Sequence, residues 1–256
     1  MDNPIQIALV QTPLIWESPD ENRAMLDTKL SGIDADLVIL AEMFTTGFSM
    51  NPAPLAETMQ GETVRWMLRK ATQLDAALCG SVIIREDGQY FNRLLFVEPS
   101  GTIHSYNKRH LFSLAGENMK YSTTGERTII EFRGWKICPL ICYDLRFPVF
   151  SRNDVDYDLL IYVANWPEPR IAAWDALIKA RGIENMALVA AVNRVGSDNN
   201  GHRYPGHSQV VDHLGNTILD AESRETVAIC TIDRDRMIAD RGKLGFLNDR
   251  DSFTVT

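Results

Sequence analysis

Apolar residues recur along the chain with two different periods. Segments 5–10, 37–41, 77–84, 90–98, 101–108, 128–132, 135–142, 159–164, 186–193, 208–212, 216–220 and 226–232 are short apolar runs of strand length. Between residues 62 and 75, Val64, Met67, Leu68, Ala71 and Leu74 fall at i, i+3, i+4, i+7 and i+10, one face of a helix. Helices are also expected near 21–30 and 172–184, the second supported by Asp175 and Lys179 at i, i+4. Strands separated by helices imply buried parallel or mixed sheet, and hairpin-length gaps such as EPSGT at 98–102 imply antiparallel pairs. Having both predicts an α/β protein built in layers.

Internal repeats, low-complexity tracts and flexible linkers are absent from the sequence, so a single domain over 1–256 is expected. The densest loop signal, GSDNNGHRYPG at 196–206, has strand-like segments on both sides and reads as a surface or site-lining loop. Of 256 residues, 45% are hydrophobic and 23% charged, which suits a packed protein and excludes a disordered one. The net charge of −8 argues against a nucleic-acid partner held by a broad basic face, but leaves room for a few local cations around a small ligand. The first residues, MDNPIQIALVQTPLIW, lack a basic region and a cleavage site, and no apolar run reaches the roughly 18 residues of a membrane span. With four scattered cysteines, a reduced cytoplasmic protein that makes no membrane contact is expected.

Candidate chemistry gathers at strand ends. Cys142, in WKICPLICYDLRFP, closes an apolar run and precedes a polar turn expected to lead into a helix around 148–152. A nucleophile there sits on fixed backbone, with N–H groups able to face an oxyanion. Cys138 is four residues away, about 13 Å along a strand, too far for the roughly 4.4–6.8 Å of a disulfide. No second Cys/His pair has zinc-ligand spacing, so no metal is expected. None of the five histidines has the context of a cysteine-protease base. Glu42 follows the apolar run DLVILA, where burial would lift its pKa toward that of a general base, and Lys108 ends the run TIHSYN. Each alone has an ordinary alternative: a buried structural thiol, a solvated carboxylate, a surface cation. Pro139 interrupts the run before Cys142, which points to a bulge or to a proline nitrogen turned away from the ladder.

Taken together, LAEMFTTGF, YNKRHLF and LICYDLRFP resemble the Glu, Lys and Cys motifs of the nitrilase, or carbon–nitrogen hydrolase, superfamily. The resemblance runs from about Ile5 to about Ile232, and CYDLRFPVFSRN with YVANWP is similar to its bacterial omega-amidase branch. It implies a four-layer α-β-β-α sandwich, a homodimer, and hydrolysis of small ω-amides of 2-oxo acids such as 2-oxoglutaramate and 2-oxosuccinamate, without a cofactor. It also implies roles: Cys142 as nucleophile, Glu42 as acid and base, Lys108 and the backbone N–H of Tyr143 as oxyanion donors, and Glu117 as the lysine's second carboxylate. A substrate carboxylate calls for a cation, Arg146 or Arg170, with Arg146 favoured; Asp144 and Glu168 are the acids that would otherwise claim them. Trp166 and Phe48 are the expected apolar walls. The alternatives are an amidase for another small amide or an N-carbamoyl compound, and a non-catalytic binding member of the same fold. Residues from Arg234 onward carry no catalytic signal and are expected at a dimer surface.

Overall fold

The computed structural model describes residues 4–254. A first sheet holds β1 (Ile5–Gln11), β2 (Leu37–Ile39), β3 (Ala77–Glu86), β4 (Gln89–Val97), β5 (Ile103–Asn107) and β14 (Thr226–Ile232), in the order β14-β1-β2-β3-β4-β5. β1, β2 and β3 are parallel, and their connections carry helices α1 (Pro19–Lys29), α2 (Pro52–Leu55, a single turn) and α3 (Glu62–Leu74). β3, β4 and β5 continue as an antiparallel meander, and β14 closes antiparallel on β1.

A second sheet holds β6 (Ile130–Phe132), β7 (Trp135–Ile141), β8 (Leu159–Ala164), β9 (Leu188–Asn193), β12 (Gln209–Val211) and β13 (Thr217–Asp220), in the order β13-β12-β9-β8-β7-β6. β7, β8 and β9 are parallel, with α4 (Ile171–Asn185) crossing between the last two. The 196–206 loop is partly ordered as a hairpin of β10 (Val195–Ser197) and β11 (Arg203–Pro205).

The period-2 alternation of the first sheet explains the layering. Ile5, Ile7, Leu9, Leu37, Ile39, Ala77, Cys79, Leu94 and Phe96 face the second sheet and share one core with it. Their neighbours Ala8, Val10, Val38, Leu40, Leu78, Leu95 and Val97 face outward and pack under Leu26 of α1 and Val64, Met67 and Ala71 of α3. On the far side Trp174 and Ile178 of α4 join the shared core, which completes the order helix, sheet, sheet, helix.

The structure decides between the alternatives at Pro139 and changes two other local expectations. β7 stays in unbroken register with β8 through Pro139, opposite Ile161. β6 pairs only as far as Ile137, so at Pro139 that side of β7 is an edge, where a missing N–H breaks no ladder. The helix expected around 148–152 is absent: the chain turns at once into a 3-10 helix, Cys142–Arg146, and continues as turns. Pro148 disfavours helical backbone at Phe147, whose φ and ψ are −114° and 86°. Asp175 engages Nδ1 of His207 at 3.0 Å and accepts from Gln209 at 3.3 Å, so its carboxylate ties α4 to the second sheet. After Arg234, α5 (Asp235–Leu244) folds back, with Met237 buried and Arg241 donating to the carbonyls of Met186 and Tyr157.

Candidate active site

Parallel strands leave a crevice beyond their carboxyl ends, and chemistry collects there. Glu42 lies three residues beyond β2, Cys142 follows β7 directly, and Asn165 follows β8. Lys108 follows β5, and Glu117 opens a short 3-10 turn, Glu117–Met119. One of these positions, Cys142 at φ 45°, is held in left-handed backbone, as is Met43, next to Glu42, at φ 44°. Non-glycine residues adopt that conformation only when their surroundings impose it.

Glu42, Lys108 and Glu117 converge out of solvent. The Lys108 ammonium donates to Glu42 Oε1 at 2.8 Å and to both oxygens of Glu117 at 3.0 and 2.9 Å. Asn92 Nδ2 donates to Glu42 Oε1 at 2.8 Å and to Glu117 Oε1 at 3.2 Å, while its own oxygen accepts from Ser81 at 2.8 Å. Ser81 also accepts the N–H of Met43. The other Glu42 oxygen accepts the backbone N–H of Asn165 at 2.9 Å, and Glu117 Oε2 accepts that of Phe112 at 2.6 Å. Glu42 is therefore a buried, hydrogen-bonded carboxylate and not a solvated loop acid.

The electrostatics follow from this packing. Burial works against the Lys108 ammonium, yet the charges of Glu117 and Glu42 outweigh it, and its pKa is raised: it stays cationic. Glu117 moves up, first through burial and then through repulsion from Glu42, with Lys108 opposing. The Cys142 thiol is raised well above its ordinary value by burial and next by the Glu42 charge, with Lys108 pulling it back. At neutral pH the thiol is therefore protonated and needs a base, and the carboxylate whose charge acts on it most strongly is Glu42.

Cys142 opens into a cavity of about 650 Å³. Phe48, Phe112, Tyr143 and Trp166 line it together with Arg146 and Arg170, and Asp198, His202 and Tyr204 reach it from the β10–β11 hairpin. Phe48 also lies 5.1 Å under the Lys108 ammonium. Neither arginine is claimed by the acids considered for it: Asp144 pairs with His110, and Glu168 with Arg203. The guanidinium groups instead lie on rings, Arg146 on Trp166 at 4.9 Å and Arg170 on Phe112 at 5.2 Å. Among the described residues neither has an acidic partner within 4.0 Å. Tyr143 is the second residue of the Cys142–Arg146 turn, where a backbone N–H has no intrahelical acceptor.

Sequence reasoning overlooks Asn92 and Asn165, and it weighs Asp144 only as a partner for an arginine. Asn92 interrupts the apolar run YFNRLLFV, and Asn165 ends the run LLIYVA. A lone polar side chain in such a run must find a buried partner, and that is the available signal.

A protonated thiol on a strained turn, next to a buried acid, an ammonium and an aromatic cavity, is equipped for covalent attack on a small polarised carbon. The carbon-nitrogen hydrolase family profile matches residues 6–241, and the chain belongs to that family. It is 48% identical over 226 residues, 88% of each chain, to Omega-amidase YafV of Escherichia coli K12. It is 32% identical over 234 residues to the 2-oxoglutaramate amidase of Bacillus subtilis, covering 89% of this chain and 90% of that one. The crystal structure of XC1258 from Xanthomonas campestris, a CN-hydrolase superfamily protein with an arsenic adduct in its active site, superimposes over the full length of both chains with a TM-score of 0.97 and 43% identity.

Proposed function

We propose that the protein is an omega-amidase that hydrolyses the terminal amide of a small 2-oxo acid such as 2-oxoglutaramate or 2-oxosuccinamate, releasing the dicarboxylate and ammonia. The observation that carries this reading is the pairing, in one cavity, of a thiol backed by an acid and an ammonium with two guanidinium groups that have no acidic partner among the described residues. Such a cavity suits a molecule with an amide at one end and a carboxylate at the other. The names of the Escherichia coli and Bacillus subtilis relatives support the same class.

The steps follow from the geometry. Cys142 Sγ attacks the amide carbon as its proton passes to Glu42. The oxyanion is met by the Lys108 ammonium and the N–H of Tyr143; losing one such donor costs about 3–4 kcal/mol of barrier. Protonated Glu42 then gives its proton to the departing nitrogen, so ammonia leaves and a thioester remains. Water, losing a proton to Glu42, attacks the thioester carbon; the carboxylate product departs and the proton returns to the thiolate. Glu117 keeps Lys108 charged and aimed throughout. Arg146 binds the distal carboxylate, while Trp166 and Phe48 wall the carbon chain. The reading carries with it a single-domain cytoplasmic homodimer that clears the ω-amides left by glutamine transamination and serves methionine salvage.

Ammonia release across a panel of 2-oxoglutaramate, 2-oxosuccinamate, glutamine and N-carbamoyl amino acids tests the assignment. The two 2-oxo acid amides should give the highest kcat/KM. A preference for N-carbamoyl compounds would replace the assignment, and no turnover of any amide would favour a binding protein.

A further inference from the structure

Asp144 is fully buried, does not line the cavity, and has no part in the steps above. Its carboxylate nonetheless gathers four contacts from two chain segments. Oδ2 accepts the Tyr106 hydroxyl at 2.8 Å and the backbone N–H of Ile141, the residue before the nucleophile, at 2.9 Å. Oδ1 accepts the backbone N–H of His110 at 3.0 Å and meets His110 Nδ1 at 2.8 Å. Tyr106 and His110 flank Lys108 at two residues on either side. The Tyr106 hydroxyl also accepts the N–H of Arg109, and burial and Asp144 together raise its pKa, so it remains a donor.

Rings repeat the pattern. His110 stacks on Phe147 with centroids 3.6 Å apart and planes within 5°. It also meets the Phe150 ring at 5.1 Å, Tyr106 lies 6.3 Å from Phe150, and Phe112 meets Tyr143 at 5.0 Å. The side chains at 106, 110 and 112 thus interleave with those at 143, 147 and 150, and Asp144 sits within that seam as its buried anion.

We propose that Asp144 is a positioning residue: with Tyr106 and His110 it clamps the Cys142 turn to the segment carrying Lys108, fixing nucleophile and ammonium at one spacing. The inference rests on Cys142 and Lys108 having the roles assigned above. Its physical basis is the left-handed backbone at Cys142, which needs an external restraint, and the back-bond from Ile141 to Asp144 spans that residue. Two oxygens facing donors on every side cannot be replaced by an amide, because Asp144→Asn would turn an NH2 toward either the Tyr106–Ile141 pair or the His110 pair. Arg146 is braced separately on Trp166, so the clamp acts on the chemical step more than on substrate binding.

The test compares Asp144→Asn and Tyr106→Phe with the unaltered enzyme, using 2-oxoglutaramate turnover, iodoacetamide alkylation of Cys142 and thermal unfolding. Turnover is expressed per alkylatable Cys142, which removes any loss of folded protein. Asp144→Asn should lower kcat at least 100-fold and slow alkylation, with KM within about threefold. Tyr106→Phe, which deletes one hydroxyl and is the deciding variant if Asp144→Asn does not fold, should lower kcat about tenfold. Unchanged kcat per alkylatable thiol in the folded variants would overturn the clamp and leave Asp144 a structural acid. Retained turnover in Cys142→Ala would overturn the site reading itself, a result separable from either.

Discussion

Replacing Glu42 by Gln separates chemistry from architecture. Glu42 accepts three strong hydrogen bonds: from Lys108 and Asn92 at one oxygen and from the Asn165 N–H at the other. A glutamine keeps its oxygen toward Lys108 and Asn92 at the least cost, which leaves its NH2 against the Asn165 N–H. One lost hydrogen bond with two opposed buried donors costs about 1–3 kcal/mol. Lys108 keeps both oxygens of Glu117, so no unpaired charge is buried, and the cluster passes from two carboxylates and one ammonium to a neutral pair. At about 2–4 °C per kcal/mol for a chain of this size, the melting temperature should fall by about 2–12 °C, leaving a folded enzyme at 25 °C. Loss of the base should lower kcat about 10²–10⁴-fold. Removing the Glu42 charge also removes one of the forces that raise the Cys142 pKa, so the pH midpoint of alkylation should move down while turnover disappears. Ammonia release at saturating 2-oxoglutaramate, thermal unfolding and the pH profile of iodoacetamide inactivation measure the three effects. A folded Glu42→Gln enzyme within tenfold of full kcat, or an alkylation midpoint that moves up, would refute the reasoning.

Arg146→Met should reduce kcat/KM for 2-oxoglutaramate at least 30-fold more than for an uncharged amide of similar size; equal losses would remove Arg146 from carboxylate recognition. Gly80→Ala places a Cβ 2.9 Å from Leu40 Cβ and Phe44 Cδ1, on either side of Glu42, so it should cost about 1–3 kcal/mol in urea unfolding and lower activity as well. The buried thiols set an alkaline limit. Burial raises Cys138 to about 12, and partial burial raises Cys230 to about 11, against an ordinary value of 9.0. Their stabilising effect is complete below about pH 9 and is lost as pH rises through the folded values, because the unfolded chain ionises first. Urea midpoints should therefore fall between pH 9 and 11; a flat profile would contradict the raised values of these thiols.

The strands were legible because burial on one face or both writes period 2 or continuous apolar runs, and α3 was legible from its five apolar positions. The start of the Cys142 turn was not, since Pro148 excludes a regular helix while the 3-10 turn before it leaves no pattern. Glu42, Lys108 and Cys142 could be singled out at strand ends, but their convergence is a property of sheet order: β2, β5 and β7 are separated in the chain and lie in two different sheets. The roles of Asn92 and Asp144 were invisible for a related reason. Asn92 matters because it donates to Glu42 and Glu117, and Asp144 because it accepts from Tyr106 and His110, and these partners lie far along the chain.

Catalysis turns on a covalent bond at one sulfur. Enzyme quenched in acid during turnover of 2-oxoglutaramate and examined by intact-protein and peptide mass spectrometry should carry one acyl group with a free 2-oxo carboxylate end per chain, on the Cys142 peptide and released by hydroxylamine. Full turnover by a Cys142→Ala protein, or an acyl group carried on another residue, would contradict it.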